Sequence, residues 1–173
     1  MKPNNILVLS VPHSGTRFVA MGLLGSQGYF YKNRNLFEAE KRPEFFTTFR
    51  HVHSIDLKKV IKLAEAYPTI VPIRRPANCA QSWLRRFKDI NELEELYSNL
   101  LKIPESVLYL PIEEPDLRTP ALERINIMFD LSLETDWQRA FHLDRADCSF
   151  TKENLEVIEK ITPIYEKILK EKL

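Results

Sequence analysis

Short apolar runs alternate with amphipathic helical patterns along this 173-residue chain. Apolar runs with the length and composition of strands lie at 6–11, 45–52, 69–73 and 106–110. Apolar residues recur every three or four positions in further segments, which predicts helices at 18–25, 57–67, 76–87, 91–101 and 119–129. A last helical pattern begins at Thr151, and Pro163 inside it predicts a kink or a restart.

The alternation of strands and helices predicts an α/β fold built as one domain over residues 1–173. Right-handed crossovers then give a parallel sheet of about four strands, covered by helices on both faces in three layers. The segment 29–42 is aromatic and charged without periodicity, so it is predicted to be a loop. Aromatic residues in and just after this loop suit either an acceptor-lining surface or the core, and the sequence leaves both open.

Composition excludes some classes of function and leaves others open. With 44% hydrophobic and 28% charged residues, the chain is typical of soluble globular proteins. A net charge of +1 provides no general field for nucleic acid or a membrane surface, so neither partner is expected. The two cysteines, Cys79 and Cys148, are expected to be reduced thiols. No run has the length of a signal-peptide core or a membrane span, and a cytoplasmic location is expected.

The first strand ends in a short polar loop, Pro12-His-Ser-Gly-Thr-Arg17, and a helical pattern follows at once. A strand, a tight loop and a helix in this order direct backbone N–H groups and the positive end of a helix dipole to one place. Such a place favours a phosphate or a sulfate. The loop lacks the second glycine and the Lys-Ser/Thr pair of a Walker A sequence, which argues against an ordinary ATPase.

The ends of the other strands also carry polar residues. The second predicted strand ends near Arg50, His51 and His53, and the third ends at Arg74 and Arg75. Because ligands of open parallel sheets bind at the carboxyl ends of the strands, these groups are candidates for one site. Cationic ends beside an anion loop predict a ligand with more than one negative group. The fourth strand leads into Glu113 and Glu114, which are expected to have a structural role.

Two motifs in this order resemble the sulfotransferases that use 3′-phosphoadenosine 5′-phosphosulfate. Their phosphosulfate loop reads approximately Pro-Lys-Ser-Gly-Thr-Thr, and the loop at 12–17 stands in the same place. Their second motif places a proline two residues, and a serine eight residues, after a strand-end arginine. Arg74, Pro76 and Ser82 have this spacing. A fainter likeness joins the strand, acidic turn and helix of 107–131 to the family's late strand and helix.

The resemblance implies a P-loop-like sulfotransferase architecture and a role for each motif residue. The cofactor would be 3′-phosphoadenosine 5′-phosphosulfate, its product adenosine 3′,5′-bisphosphate, and no metal would be needed. Arg74 and Ser82 would hold the 3′-phosphate. The 5′-phosphosulfate would lie against His13, Ser14, Gly15, Thr16 and Arg17. The acceptor would be a small molecule or a glycan with a hydroxyl or an amine, while the oligomeric state stays open.

Three histidines are candidates for the chemistry of sulfuryl transfer. The family has a histidine base after its second strand, and both His51 and His53 fall in this region; the distance to Arg74 favours His53. A positioned base contributes about 10²–10⁴-fold to a rate. His13 stands where the family has a lysine that stabilises the bridging oxygen, and a histidine donates there only in a suitable protonation state.

Two other functions are consistent with the same residues. The first is a kinase-like phosphotransferase in which Glu113 or Glu114 holds Mg²⁺, although the loop lacks the lysine that such chemistry uses. The second is a binding protein that has lost turnover at His13. Metal binding by a dedicated cluster is not expected, since no His, Cys or carboxylate group has ligand spacing.

Overall fold

A computed structural model describes residues 1–31, 45–87, 89–134 and 149–173. Five parallel strands form one sheet in the order β2-β3-β1-β4-β5. The strands are β1 Asn5–Ser10, β2 Phe30–Tyr31, β3 Phe46–His51, β4 Thr69–Ile73 and β5 Leu108–Pro111. The predicted α/β fold with a parallel sheet is confirmed, with one strand more than expected.

The additional strand is the two-residue β2, which lies inside the segment predicted to be a loop. Its residues pair with Phe46 and Thr47 at the start of β3. A strand of two residues has no periodicity of its own, so only the neighbouring strand could reveal it. The rest of the predicted loop, at 32–42, lies outside the described residues.

Helices pack on both faces of the sheet. They are α1, a π-helical stretch Phe18–Leu23 continued by Leu24–Ser26, then α2 Leu57–Ala66, α3 Pro76–Leu84, α4 Glu92–Leu100, α5 Pro115–Phe129 and α6 Lys152–Glu171. A 3₁₀ turn, Ser54–Asp56, precedes α2. These elements give the three layers that the alternation predicted.

The alternation of side chains along β1 divides the core into two halves. Ile6 and Val8 point to one face, where they pack with apolar residues of α1 and α5. Leu7 and Leu9 point to the other face, which is covered by α2, α3, α4 and α6. Because both faces are buried, β1 is apolar at every position from Ile6 to Leu9.

Two prolines do not interrupt helices where the sequence predicted a start or a break. Pro163 lies inside the continuous α6, and Pro120 lies inside α5, which begins at Pro115 and not at Thr119. Both inner prolines are on the exposed side, so a carbonyl that loses its partner faces water. Pro115 suits the first turn, where its missing N–H costs nothing.

The beginning of α4 also differs from the sequence prediction. The sequence predicts that Asn91 caps this helix with Glu94 as its capping-box partner; Asn91 does precede the helix, but its side chain makes no capping hydrogen bond. Its backbone is already helical, with φ −60° and ψ −32°. A capping box closes the start of α6 instead, between Thr151 and Asn154.

Three aromatic residues around the predicted loop, Tyr29, Phe45 and Phe46, belong to the core at the amino ends of the strands. Tyr29 and Phe46 are 4% and 3% exposed. The Tyr29 hydroxyl donates to the Pro3 carbonyl at 2.6 Å, and its ring lies 5.2 Å from that of Phe45. The sequence left open whether these residues line an acceptor site or belong to the core, and all three pack in the core.

Candidate functional site

The candidate site lies at the carboxyl ends of three adjacent strands. Strand β1 pairs with β3 on one side and with β4 on the other. The loop at 11–17, the segment after His51 and the Arg74-Arg75 pair therefore leave the sheet side by side. This is the location that the sequence predicted from the parallel topology.

The loop after β1 turns sharply at two residues with positive φ. His13 has a φ of 68° and Gly15 a φ of 100°. Glycine adopts this conformation freely, whereas histidine is held in it at a cost that is typical of functional sites. The chain is helical from Thr16 onward, so α1 begins directly behind the loop. The predicted order of strand, loop and helix is confirmed in these residues.

Ser14 fastens this loop to the neighbouring strand. Its hydroxyl is buried and lies 2.7 Å from the Val11 carbonyl and 3.0 Å from the Pro72 carbonyl, to which it donates. Its backbone N–H also donates to Val11 at 3.2 Å. A further bond ties the loop to α3, because the Cys79 thiol donates to the Pro12 carbonyl at 3.3 Å. Cys79 is a free, buried cysteine, and Cys148 lies outside the described residues.

His13 connects the two sequence motifs. Its Nδ1 lies 3.1 Å from the Ser82 hydroxyl on α3, although 69 positions separate the two residues. The ring packs edge-on against Trp83 at 5.8 Å and Phe87 at 6.1 Å. Burial lowers the pKa of His13, and the guanidinium groups of Arg86, Arg74 and Arg17 lower it further. The imidazole is therefore neutral at pH 7.

His51 is connected by hydrogen bonds to two further polar side chains, Ser10 and Thr16. Its Nδ1 lies 3.2 Å from the Ser10 hydroxyl, and that hydroxyl lies 2.6 Å from the Thr16 hydroxyl. Burial lowers the pKa of His51 to about 4, against a smaller opposite effect from a hydrogen bond to the Ser10 backbone. The neighbouring His53, whose ring centre is 6.0 Å away, lowers it further.

A cleft of about 550 Å³ opens between the loop and α3. All three histidines predicted to be catalytic line it, together with an apolar wall and a charged rim. The other lining residues are Pro12, Trp83, Arg86, Phe87, Asp89 and Glu92. The structure thus brings His13 together with His51 and His53, which lie much later in the sequence.

Arg74 lies in a buried ion pair beside this cleft. Its Nε donates to Glu113 Oε1 at 2.5 Å, and the Arg75 backbone N–H donates to Glu113 Oε2 at 3.0 Å. Only 12% of the Arg74 side chain and 2% of the Glu113 side chain are exposed. The Tyr97 hydroxyl donates to the Arg74 carbonyl at 2.6 Å. The backbone and one guanidinium nitrogen of Arg74 are therefore held by the protein itself.

The second arginine of the pair contacts the second glutamate. Arg75 donates to both carboxylate oxygens of Glu114, at 2.7 and 2.9 Å. Tyr165 on α6 donates to the same carboxylate at 2.8 Å. The hydrogen bond from Arg75 lowers the pKa of Glu114, and the Tyr165 bond acts in the same direction. Both glutamates have the structural role that the sequence predicted for them.

Several residues at this site could not be assigned from sequence. Ser10 had one signal, since it is the polar residue at the end of an apolar strand. Apolar spacing along the helix predicted at 76–87 indicates that Trp83 and Phe87 are core residues, and both line the cleft. Trp83 is also part of the core at 5% exposure, whereas Phe87 is 52% exposed. Asp89 and Glu92 follow α3 in a region without a motif. Arg17 is exposed in the first helical turn, and its predicted contact with an anion stays a prediction.

Within the described ranges, no three His, Cys, Asp or Glu side chains form a group that could hold a metal ion. Among the helices of those same ranges, none is long and apolar enough to cross a membrane.

The fold is a parallel α/β fold, with the candidate site at the carboxyl ends of its strands. No protein-family model matches the chain, and no curated protein matches its sequence. Among solved structures, the chain is similar to mouse sulfotransferase SULT7A1 complexed with PAP. The TM-score is 0.57 and the identity 13%, over 96% of this chain and 86% of that chain. At this identity the likeness shows the fold, and it agrees with the architecture that the motifs implied.

Proposed function

We propose that this protein binds 3′-phosphoadenosine 5′-phosphosulfate and transfers its sulfuryl group to a hydroxyl or amine acceptor. The observation that carries the proposal is the cleft itself, where the loop at 12–17, both strand-end histidines and the helix that carries Ser82 meet. The structurally similar sulfotransferase was solved with PAP, the product nucleotide, and this supports the same ligand here.

Each part of the site has a defined task in this reaction. Amides at the start of α1 and the Thr16 hydroxyl bind the 5′-phosphosulfate, because a helix start attracts anions. The Arg74 guanidinium binds the 3′-phosphate, with Glu113 holding the group in place. His51 or His53 takes the proton of the acceptor as its oxygen or nitrogen bonds to sulfur and the bridging S–O bond breaks.

His13 can assist the leaving oxygen as a neutral group. When the Ser82 hydroxyl donates to His13 Nδ1, the imidazole proton is on Nε2, which can then donate to an oxygen in the cleft. A neutral donor stabilises developing negative charge less than the lysine ammonium of the family does. We therefore expect slow turnover, and Ser82 is expected to act through His13 as well as on the 3′-phosphate.

The geometry of the site disfavours a phosphotransferase and is compatible with a binding protein without turnover. Both Glu113 and Glu114 accept hydrogen bonds from arginines on each carboxylate oxygen, so they are poor ligands for the Mg²⁺ of a phosphotransferase. The neutral His13 favours the second alternative, a protein that binds the nucleotide without turnover. Tight binding of adenosine 3′,5′-bisphosphate with no transfer, in both wild type and His13→Lys, would support that alternative.

A thermal-shift comparison of adenosine 3′,5′-bisphosphate with Mg-ATP tests the ligand class. A ligand at one hundred times its dissociation constant adds about 2.7 kcal/mol to the free energy of unfolding. For a chain of this size that is about 5–10 °C in Tm. We expect this increase with the bisphosphate alone. An increase with Mg-ATP and none with the bisphosphate would overturn the proposed function in favour of a phosphotransferase.

The role of Arg74 is tested in a variant in which removal of the guanidinium does not leave Glu113 as an unpaired buried charge. Glu113→Gln is that variant, and the double variant Arg74→Ala/Glu113→Gln removes the guanidinium from it. We expect the double variant to bind adenosine 3′,5′-bisphosphate about tenfold to a hundredfold more weakly than Glu113→Gln, the effect of one charge-assisted hydrogen bond. Calorimetric affinities for adenosine 5′-phosphate should hardly change. An equal loss for both nucleotides would contradict the assignment.

A further inference from the structure

Three polar side chains form a continuous line from the anion loop to the cleft. Thr16 belongs to the start of α1, Ser10 ends β1, and His51 ends β3. The Thr16 and Ser10 hydroxyl oxygens are 2.6 Å apart, and the Ser10 hydroxyl lies 3.2 Å from His51 Nδ1. Ser10 is fully buried and Thr16 is 7% exposed, so water does not compete strongly for these bonds. The line connects two places that the proposed reaction uses separately.

The number of protons on this line restricts how it can be arranged. Each hydroxyl has one proton to donate, and Nδ1 of a neutral imidazole either donates or accepts. Thr16 can donate to Ser10, in which case Ser10 donates to an unprotonated Nδ1. In the opposite direction, Nδ1–H donates to Ser10, and Ser10 donates to Thr16. The two directions correspond to the two tautomers of His51.

We propose that Ser10 is a positioning residue that couples the anion loop to the tautomer of His51. An anion against Thr16 accepts a hydrogen bond from the Thr16 hydroxyl. Because the single Thr16 proton then points to the anion, the Thr16 oxygen must accept a hydrogen bond from the Ser10 hydroxyl. The Ser10 oxygen then accepts Nδ1–H, and Nε2 of His51 is left without a proton. Binding of an anionic group at the loop thereby converts His51, which lines the cleft, into a proton acceptor. The coupling rests on the proposed function only in placing an anion at Thr16.

This coupling makes His51 ready for the reaction only when the sulfuryl donor is bound. With Nδ1–H donated to Ser10, the Nε2 lone pair can take the proton that leaves the acceptor hydroxyl or amine. The imidazolium that results keeps its Nδ1–H bond to Ser10, so the row of hydrogen bonds remains intact. His51 is neutral at pH 7, because burial lowers its pKa to about 4, and both tautomers are therefore accessible before the anion binds.

The experiment measures the tautomer of His51 directly. Protein with ¹⁵N-labelled histidine is examined at pH 7 by long-range ¹H–¹⁵N spectra, which distinguish Nδ1–H from Nε2–H imidazoles. The chain has four histidines, and the His51 signals are assigned by their loss in His51→Asn. Sodium sulfate and adenosine 3′,5′-bisphosphate are added separately. We expect the ratio of the Nδ1–H to the Nε2–H tautomer to rise at least about fivefold, the ratio that one net hydrogen bond supplies.

Variants that differ by one hydroxyl provide the controls. Thr16→Val removes the hydroxyl and keeps the shape, whereas Thr16→Ser keeps the hydroxyl and removes a methyl group. Ser10→Ala removes the second hydroxyl and leaves the main-chain carbonyl of residue 10 in place. We expect Thr16→Ser to respond like the wild type. Ser10→Ala should bind sulfate with no change in the tautomer ratio. Thr16→Val should bind sulfate more weakly, because it lacks a hydroxyl that contacts the anion, and should show no change in the ratio at saturating sulfate. Either variant suffices if the other does not fold.

Each result decides between the coupling and the proposed function. A tautomer change with sulfate but not with the bisphosphate supports the coupling and contradicts the proposed nucleotide. Anion binding without a tautomer change in the wild type overturns the coupling and leaves the proposed function standing. An equal change in Thr16→Val or Ser10→Ala also overturns it. Failure of both anions to bind overturns the two proposals together.

Discussion

Replacing Glu113 by glutamine removes the negative charge of a buried ion pair and keeps the shape of the side chain. Glu113 is 2% exposed and accepts from the Arg74 side chain on one oxygen and from the Arg75 backbone on the other. Glutamine presents one oxygen and one NH₂ group. It can satisfy one donor, but its NH₂ then faces the other donor, and the Arg74 charge is left without a counter-ion.

The size of the effect follows from burial. Removing one partner of a buried pair costs about 3–5 kcal/mol, because the remaining charge is desolvated without compensation. Since Arg74 is only 12% exposed, water cannot take the place of the carboxylate. For a chain of this length we expect Tm to fall by about 6–20 °C. The domain should still fold, since typical stabilities are about 5–15 kcal/mol.

The neighbouring residue provides a matched control. Glu114→Gln makes the same chemical change in an ion pair whose arginine is 53% exposed. Exposed pairs contribute about 1 kcal/mol or less, so this variant should lose little stability. Urea unfolding followed by circular dichroism gives both free energies of unfolding under one set of conditions. Equal losses in Glu113→Gln and Glu114→Gln would refute the reasoning that burial decides the cost.

Two further predictions concern the histidine end of β3. The pKa of His51 is lowered to about 4 from 6.5, so the unfolded chain binds a proton in this range that the folded chain does not. The resulting stability is fully present above pH 6.5 and is lost as the pH falls to about 4, by up to about 3 kcal/mol. Urea unfolding at several pH values should show this slope, and His51→Gln should flatten it. Asn99 is fully buried and donates to the Val52 carbonyl at 2.9 Å and to the Ser54 hydroxyl at 3.0 Å. Asn99→Leu leaves the carbonyl unsatisfied and should cost about 1–3 kcal/mol in the same assay, and a loss below 0.5 kcal/mol would contradict this account.

Elements with a strong local pattern were predictable from the sequence. The strand at 69–73 has the predicted bounds, because Pro68 marks its start and the charged pair Arg74-Arg75 marks its end. The helix 57–66 was also predicted from its local apolar pattern, with one residue too many at its end. In contrast, β2 has two residues and exists through its pairing with β3. Pro163 lies within the single helix α6, where the local rule predicted a kink or a restart, and the exposed side accommodates the lost hydrogen bond.

The candidate site was likewise predictable from the sequence only in part. The place of the loop after β1 and the spacing of Arg74 and Ser82 follow from residue types and chain order. Which groups contact one another does not. His13 meets Ser82 across 69 positions, and Arg74 meets Glu113 across 39, because neighbouring strands bring them together. No local pattern carries that information.

By itself, the sequence determined the class of the fold, the short polar loop between β1 and α1 and the residue types at each strand end. These features depend on the period of apolar side chains, on the conformations that glycine and proline allow, and on the rule that parallel strands end at one edge. Only the tertiary structure decided that Glu113 holds Arg74, that the Thr16 hydroxyl reaches His51 through Ser10, and that three histidines share one cleft. Hydrogen bonds and desolvation act over a few ångströms, and these distances arise when the sheet forms.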